Sequence, residues 1–233
     1  MSAFRNEHDL LGDKNVPSAA YYGVHTLRAK ENFDITGISI AVYPDLIRAL
    51  AQIKKAAALA NQQLGLLDPK LAAAIAAACD EVIAGKFHDE FIVDVIQGGA
   101  GTSTNMNANE VIANRALELL GHQRGEYQYL HPNEHVNMSQ STNDVYPTAL
   151  KLATYVGIFG LVDAMDYLRR SFERKAEEFA DVLKMGRTQL QDAVPMTLGQ
   201  EFQTYAVMLG EDQERLKEAA LLIREINLGA TAI

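Results

Sequence analysis

Gln140-Ser141-Thr142-Asn143-Asp144-Val145-Tyr146-Pro147 packs two hydroxyls, an amide and a carboxylate into four consecutive positions, then leads into a long apolar-periodic segment from about residue 148. That is the pattern of a helix start. Ser, Thr, Asn and Asp are the favoured N-cap residues, and Pro is tolerated in a first turn where its missing N–H would go unpaired. A helix N-terminus also offers free N–H groups and the positive end of the macrodipole, so the same residues can hold a carboxylate or phosphate. Capping and anion binding both remain open from this stretch alone.

Downstream, residues 148–179 contain no proline, and Leu150, Thr154, Gly157, Leu161, Met165, Leu168, Phe172 and Phe179 fall on one stripe. A polar run from Lys184 interrupts the pattern. A second stripe follows over 196–228, through Leu198, Phe202, Tyr205, Leu209, Leu216, Ala219, Ile223 and Ile226. Helices of about 30 residues would be roughly 45 Å long, several times the usual globular length. Two such helices cannot bury their stripes alone, so the spacing predicts an extended bundle completed by helices from elsewhere. The last residues, Gly229 to Ile233, carry neither a cap nor a polar tail, and read as an interrupted sequence.

Upstream, Gly12, Pro17, Gly23, Gly37 and Pro44 are spaced too closely for a long helix, which predicts short strands or an irregular arm over residues 1–44. Tyr21 and Tyr22 suit packing onto a neighbouring element. Residues 45–64 and 68–83 read as helices, each opened by an Asp beside a Pro and closed by Gly65 or Gly85. The glycine-rich run Gln97-Gly98-Gly99-Ala100-Gly101 feeds Thr102-Ser103-Thr104-Asn105-Met106-Asn107 and a further helix that Gly121 closes. It lacks the Gly-Lys-Ser/Thr end of a P-loop and any surrounding strand–helix–strand unit. The fold class expected is therefore mainly α: a small mixed N-terminal domain over residues 1–140, then over 141–233 the first long helices of a multi-helix bundle.

A formal charge of -9 argues against nucleic acid as a partner, because neutralising phosphates needs a Lys/Arg surface. The single Cys79 excludes an intrachain disulfide and a thiolate metal cluster, and sits in an Ala-rich run that suits core filling. The N-terminus has no apolar signal region, and no uninterrupted apolar run reaches the roughly 18 residues of a membrane span. A cytoplasmic location with no membrane partner is the expectation. His131-Pro132-Asn133-Glu134-His135 matches the H-x-x-E-H zinc pattern, but Pro132 places it at a loop or helix start and no third ligand follows at a sensible spacing. No metal ligand set is expected.

Three polar loops thus precede helices: residues 98–109, 139–144 and 186–192. They are rich in neutral donors and contain no nucleophile paired with a base. Neutral donors at helix starts suit a small anionic ligand, while three well-capped helices are the purely structural reading.

At these loops the sequence resembles a known family. Gly98-Gly99-Ala100-Gly101-Thr102-Ser103-Thr104-Asn105-Met106-Asn107-Ala108-Asn109-Glu110, Gln140-Ser141-Thr142-Asn143-Asp144 and Gly186-Arg187-Thr188-Gln189-Leu190-Gln191-Asp192-Ala193-Val194-Pro195-Met196 closely resemble the aspartase/fumarase superfamily, in the right order. Tyr22-Gly23-Val24-His25-Thr26, Thr142 and Gly125-Glu126-Tyr127 resemble its aspartase branch more than class II fumarases. The resemblance implies reversible elimination of ammonia from L-aspartate to give fumarate, by removal of a C3 proton through an aci-carboxylate intermediate. By resemblance, Thr102, Ser141 and Thr142 would bind the substrate's β-carboxylate, and Asn143, Thr188 and Gln189 the region of the amino group and α-carboxylate. A second anion site would lie at His131, Asn133 and Glu134. No cofactor is required, with Mg²⁺ an activator in some members, and the family assembles as a homotetramer whose active sites are shared between subunits.

One departure is large. The family's general base is a serine on a Gly-Ser-Ser-x-Met-Pro-x-Lys-x-Asn-Pro loop, and that motif does not occur in these 233 residues. No catalytic base is therefore expected in this chain, the family serine lying beyond Ile233, and the chain alone is expected to be inactive. Class II fumarase, acting on malate, and a non-catalytic truncated paralogue serving as an assembly subunit are the alternatives.

Overall fold

The structure, a computed structural model, describes residues 3–98 and 101–229; Gly99 and Ala100 of the glycine-rich loop and the final residues 230–233 lie outside the described residues. The chain is mainly helical and forms two compact units, residues 1–153 with 226–233, and residues 154–225.

The first unit begins with an antiparallel hairpin, β1 (Phe4–Asp9) on β2 (Gly12–Pro17), in register from Phe4 opposite Pro17 to Asp9 opposite Gly12. The arm then holds a short helix where only strands or irregular chain were expected, α1 (Val24–Asn32), nine residues that fit between Gly23 and Gly37, while α2 (Pro44–Gln63) opens at the predicted start on Pro44. In α3 (Pro69–Ile83) the Asp68 carboxylate accepts from the backbone N–H of Lys70 and Leu71, the capping its sequence advertised. Helix α4 (Thr102–Leu119) runs through the middle of the unit and is buried on nearly every side. Ile47, Leu50, Ile75, Cys79, Ile112, Leu117, Leu130 and Val145 form the core between these helices. Tyr21 packs on Phe87 at 4.4 Å between ring centroids and donates to Glu118, the role its sequence context suggested.

Helix α5 (Thr142–Glu178) is continuous over 37 residues, with Pro147 inside it rather than ahead of it. Pro147 is the sixth residue, past the unpaired first-turn donors, so its missing N–H leaves the Asn143 carbonyl without its i+4 donor one turn into the helix. Contrary to the sequence expectation, α5 is long and apolar enough to cross a membrane by length and composition, because a window average tolerates the isolated Lys151 and Asp163 that break an uninterrupted run. The same length and composition suit a bundle helix.

In the second unit the latter part of α5 lies against α6 (Leu198–Leu222). The run expected as a polar loop is an antiparallel hairpin, β3 (Leu183–Thr188) on β4 (Gln191–Thr197), whose alternation is masked by Gly186 and a bulge between Met185 and Arg187. Thr197 then opens α6 with a capping box closed by Gln200. The buried seam of α6 is Gly199, Ala206, Gln213 and Ala220, one residue every seven, rather than the larger apolar stripe. Small seam residues let backbones approach closely. A Cβ at Gly199 would lie 2.4 Å from the Ala176 carbonyl oxygen, which leaves room for glycine alone. Leu161, Leu168 and Tyr205 of the predicted stripes stay exposed, as stripes awaiting further helices would be.

Candidate active site

Two helix starts meet in the first unit. Gly101, at φ +86°, precedes α4, and a Cβ there would sit 2.1 Å from the Tyr146 ring of α5, so glycine is required by both conformation and space. Thr102 takes the first helical position and is exposed. Gln97 holds the same start from the other side: its side-chain oxygen accepts from Thr104 N–H at 2.9 Å, and its amide donates to Thr104 Oγ1. At α5, Ser141 Oγ accepts from Asn143 N–H at 3.2 Å, so the capping reading of this residue holds in the structure. Thr142 Oγ1 accepts from Asn105 Nδ2 at 3.0 Å, tying the two starts together.

Behind them runs a polar chain that the sequence reading did not find. Asn105 Nδ2 also donates to Asn137 Oδ1 at 3.1 Å, and the same oxygen accepts from Lys54 Nζ at 2.7 Å. Lys54 is fully buried, and burial pushes its ammonium down to about 7. The signal was present in α2: residues 47, 51, 54, 58 and 61 share one face, so Lys54 and Asn61 interrupt an otherwise apolar stripe. Both reach the segment before α5, Asn61 donating to the Met138 carbonyl at 3.0 Å.

The arrangement suits a carboxylate. Two long helices direct the positive ends of their dipoles and uncharged hydroxyl and amide groups to one place, with a buried cation behind them. Donors held in advance by their own hydrogen bonds stabilise charge without reorganising when it develops. Ser141, Thr142 and Asn143 are consecutive here, and Thr102 follows the glycine that packs on Tyr146.

Thr188 and Gln189 belong to the second unit, at the tip of the β3–β4 hairpin. Thr188 pairs with Gln191, leaving Gln189 and Leu190 as a two-residue turn with φ of +50° and +60°. Such turns favour Asn and Gly; side chains larger than these pay a steric penalty in the left-handed region. Backbone held in a sparsely populated conformation is a feature of ligand-binding positions.

Asn133 and Glu134 sit on one tight turn, Pro132–Val136, wound as a single π-helical turn, and His131 caps its start. His131 Nδ1 accepts from the N–H of Asn133 and Glu134, which leaves its proton on Nε2, and His135 Nδ1 accepts from His131 N–H. Burial holds the His131 imidazole below its ordinary value. The adjoining open cleft is also lined by Glu7 and Glu134, so it carries carboxylates beside its histidines. Among the described residues no group of three or more His, Cys, Asp or Glu side chains is arranged to hold a metal ion.

A buried carboxylate was also unforeseen. Glu110 of α4 accepts from the backbone N–H of Gly23, His25 and Thr26 at 2.8, 2.9 and 3.0 Å, closing the N-terminus of α1. His25 Nδ1 lies 3.1 Å from the same carboxylate, whose hydrogen bond holds the imidazole above its ordinary value.

A family model described as Lyase matches residues 12–233. The chain belongs to this lyase family. Aspartate ammonia-lyase of Helicobacter pylori is 62% identical over 229 residues, covering 98% of this chain and 49% of that protein. Among solved structures of the lyase fold, fumarate lyase:delta crystallin from Brucella melitensis has a TM-score of 0.95 at 57% identity, over 97% of this chain and 53% of its own. Class II fumarase from Schistosoma mansoni has a TM-score of 0.92 at 38% identity, over 99% and 48%. The chain spans about half the length of the curated relatives it matches. The resemblance to the aspartase/fumarase superfamily, nearest its aspartase branch, is thus supported over the whole of this sequence.

Proposed function

We propose that these residues are the carboxylate-binding half of an aspartate ammonia-lyase, and that the observation carrying this reading is 62% identity to such an enzyme over a stretch that includes all three polar motifs. The fumarase alternative is weaker, its representative matching at 38%. Thr102, Ser141 and Thr142 donate to the β-carboxylate of L-aspartate, while Asn143, Thr188 and Gln189 surround the amino group and α-carboxylate.

The chemistry follows from that placement. The C3 proton is only weakly acidic, so its loss depends on donors that meet the negative charge building on the β-carboxylate. The C3–H electron pair moves into that carboxylate to give the aci form. Its return expels the C2 amino group as ammonia and leaves the C2–C3 double bond of fumarate. The base that takes the proton is the family serine, whose motif is not among these 233 residues. Accordingly the 233-residue chain alone releases no ammonia. No cofactor enters these steps; Mg²⁺ would act as an activator and His131, Asn133 and Glu134 as a separate anion site. The exposed apolar residues of α5 and α6 support burial against further helices, and the assembly we propose is a homotetramer with shared active sites, in the cytoplasm.

A direct assay of ammonia release and fumarate absorbance decides the matter. The complete reading frame carrying this chain should turn over aspartate in preference to malate, and Thr142→Val should lower kcat/KM. Normal turnover by the 233-residue polypeptide, or preference for malate, would sink the proposal.

A further inference from the structure

Lys54 has no carboxylate partner among the described residues, yet its ammonium is wholly enclosed and meets one acceptor, Asn137 Oδ1. A buried cation without a counter-ion is costly and calls for an explanation beyond packing. The directions of the hydrogen bonds supply one. An ammonium can only donate, so the atom facing it must be the Asn137 oxygen; the Asn137 amide in turn donates to the Gln140 carbonyl at 2.9 Å. With that oxygen fixed, the Asn105 group beside it must be Nδ2. The second hydrogen of Nδ2 then goes to Thr142 Oγ1. Thr142 is thereby made an acceptor on its protein side, and its own hydroxyl proton is left to point away from Asn105, toward a ligand.

One further detail shows that this direction is imposed. Asn105 Oδ1 is buried with no hydrogen-bond partner among the described residues. Turning the Asn105 amide over would give that oxygen the Thr142 hydroxyl, but would also set two amide oxygens against each other while Asn137 is held by Lys54.

We infer that Lys54 is a positioning residue for the lyase reaction: through Asn137 and Asn105 it fixes the Thr142 hydroxyl as a donor to the substrate's carboxylate. This rests on the assignment of Thr142 as a substrate-carboxylate donor. Without Lys54, only the Gln140 carbonyl is left to hold the direction of the Asn137 amide, and once the Asn105 amide turns over Thr142 gives its proton to Asn105 and not to substrate.

A double-mutant cycle on the complete reading frame tests the inference. Lys54→Met and Asn105→Leu are each made with Thr142 present and in a Thr142→Val background, and kcat/KM for ammonia release from aspartate is measured. Asn105→Leu keeps the experiment decisive should Lys54→Met not fold, since it cuts the relay while leaving the lysine and Asn137 in place. A correctly aimed hydrogen bond to a charged group corresponds to about tenfold or more. Each variant should therefore lower kcat/KM by about tenfold with Thr142 present and by less than about twofold when Thr142 is already valine. A purely structural role gives the same loss in both backgrounds, and that result, or no loss with Thr142 present, overturns the inference alone. If Thr142→Val itself leaves kcat/KM unchanged, or the parent protein releases no ammonia, the functional reading falls and this inference with it.

Discussion

Replacing Lys54 with Met should stabilise the protein at neutral pH while damaging its proposed chemistry. The side chain is wholly buried, and its ammonium is pushed from the ordinary 10.5 down to about 7. At roughly 1.4 kcal/mol per pH unit, that fall means the folded state bears about 5 kcal/mol of penalty for holding the charge. The hydrogen bond to Asn137 offsets about 1.5–3 kcal/mol of it, and methionine has a similar volume, so the cavity cost is small. The net gain is about 2–3.5 kcal/mol. Its pH dependence is the decisive part. Because the folded pKa is depressed, the unfolded chain binds the extra proton between about 7 and 10.5, so wild-type stability rises with pH across that window. The advantage of Lys54→Met should be full below about 7 and should fade as pH rises toward 10.5. Cys79 faces the same space, and its thiol, pushed up to about 12 by burial, stays neutral throughout. Urea unfolding at a series of pH values, followed by helical circular dichroism, measures the difference. A stability difference that is flat with pH, or a variant less stable than the parent at pH 7, would refute the reasoning.

Glu110→Ala removes the acceptor for three backbone N–H groups at the start of α1 and leaves them enclosed; a loss of about 3 kcal/mol or more is expected in thermal unfolding. Leu190 is fully exposed at φ +60°, so Leu190→Gly should stabilise the hairpin turn by about 1 kcal/mol, read from the denaturation midpoint. Cys79 is 0% exposed and its thiol is pushed up to about 12, so a thiol reagent should label it only as fast as the unit unfolds; rapid labelling of the native protein would contradict the placement of α3.

Much of the first unit was legible because its signals are local. Asp68 before Pro69, the Pro44 start and the glycines at 65, 85 and 121 each act within a turn, and the helices begin and end beside them. Ser141 was readable as a cap for the same reason. The β3–β4 hairpin was not, since Gly186 and the bulge break the alternation and Gln189-Leu190 is not a pair that advertises a two-residue turn. The α6 seam escaped because Gly199, Ala206 and Ala220 contribute closeness rather than bulk, while the larger apolar residues drew attention to another face. Lys54, Asn137 and Glu110 escaped for a different reason. Their partners lie 32 to 87 residues away, and a polar residue on an apolar face reports that it is paired without saying with what.

The carboxylate that closes α1 comes from a residue 87 positions after the first N–H it accepts. During synthesis at about 5–20 residues per second, that delay is on the order of 4–17 s. Throughout it the amino-terminal arm has no acceptor for these donors, and α1, at nine residues, is too short to persist alone. The first segment made is thus among the last to be secured, and its hairpin and helix must condense onto α4 rather than seed the fold. Such long-range closure slows folding and exposes the nascent arm to other partners while it waits.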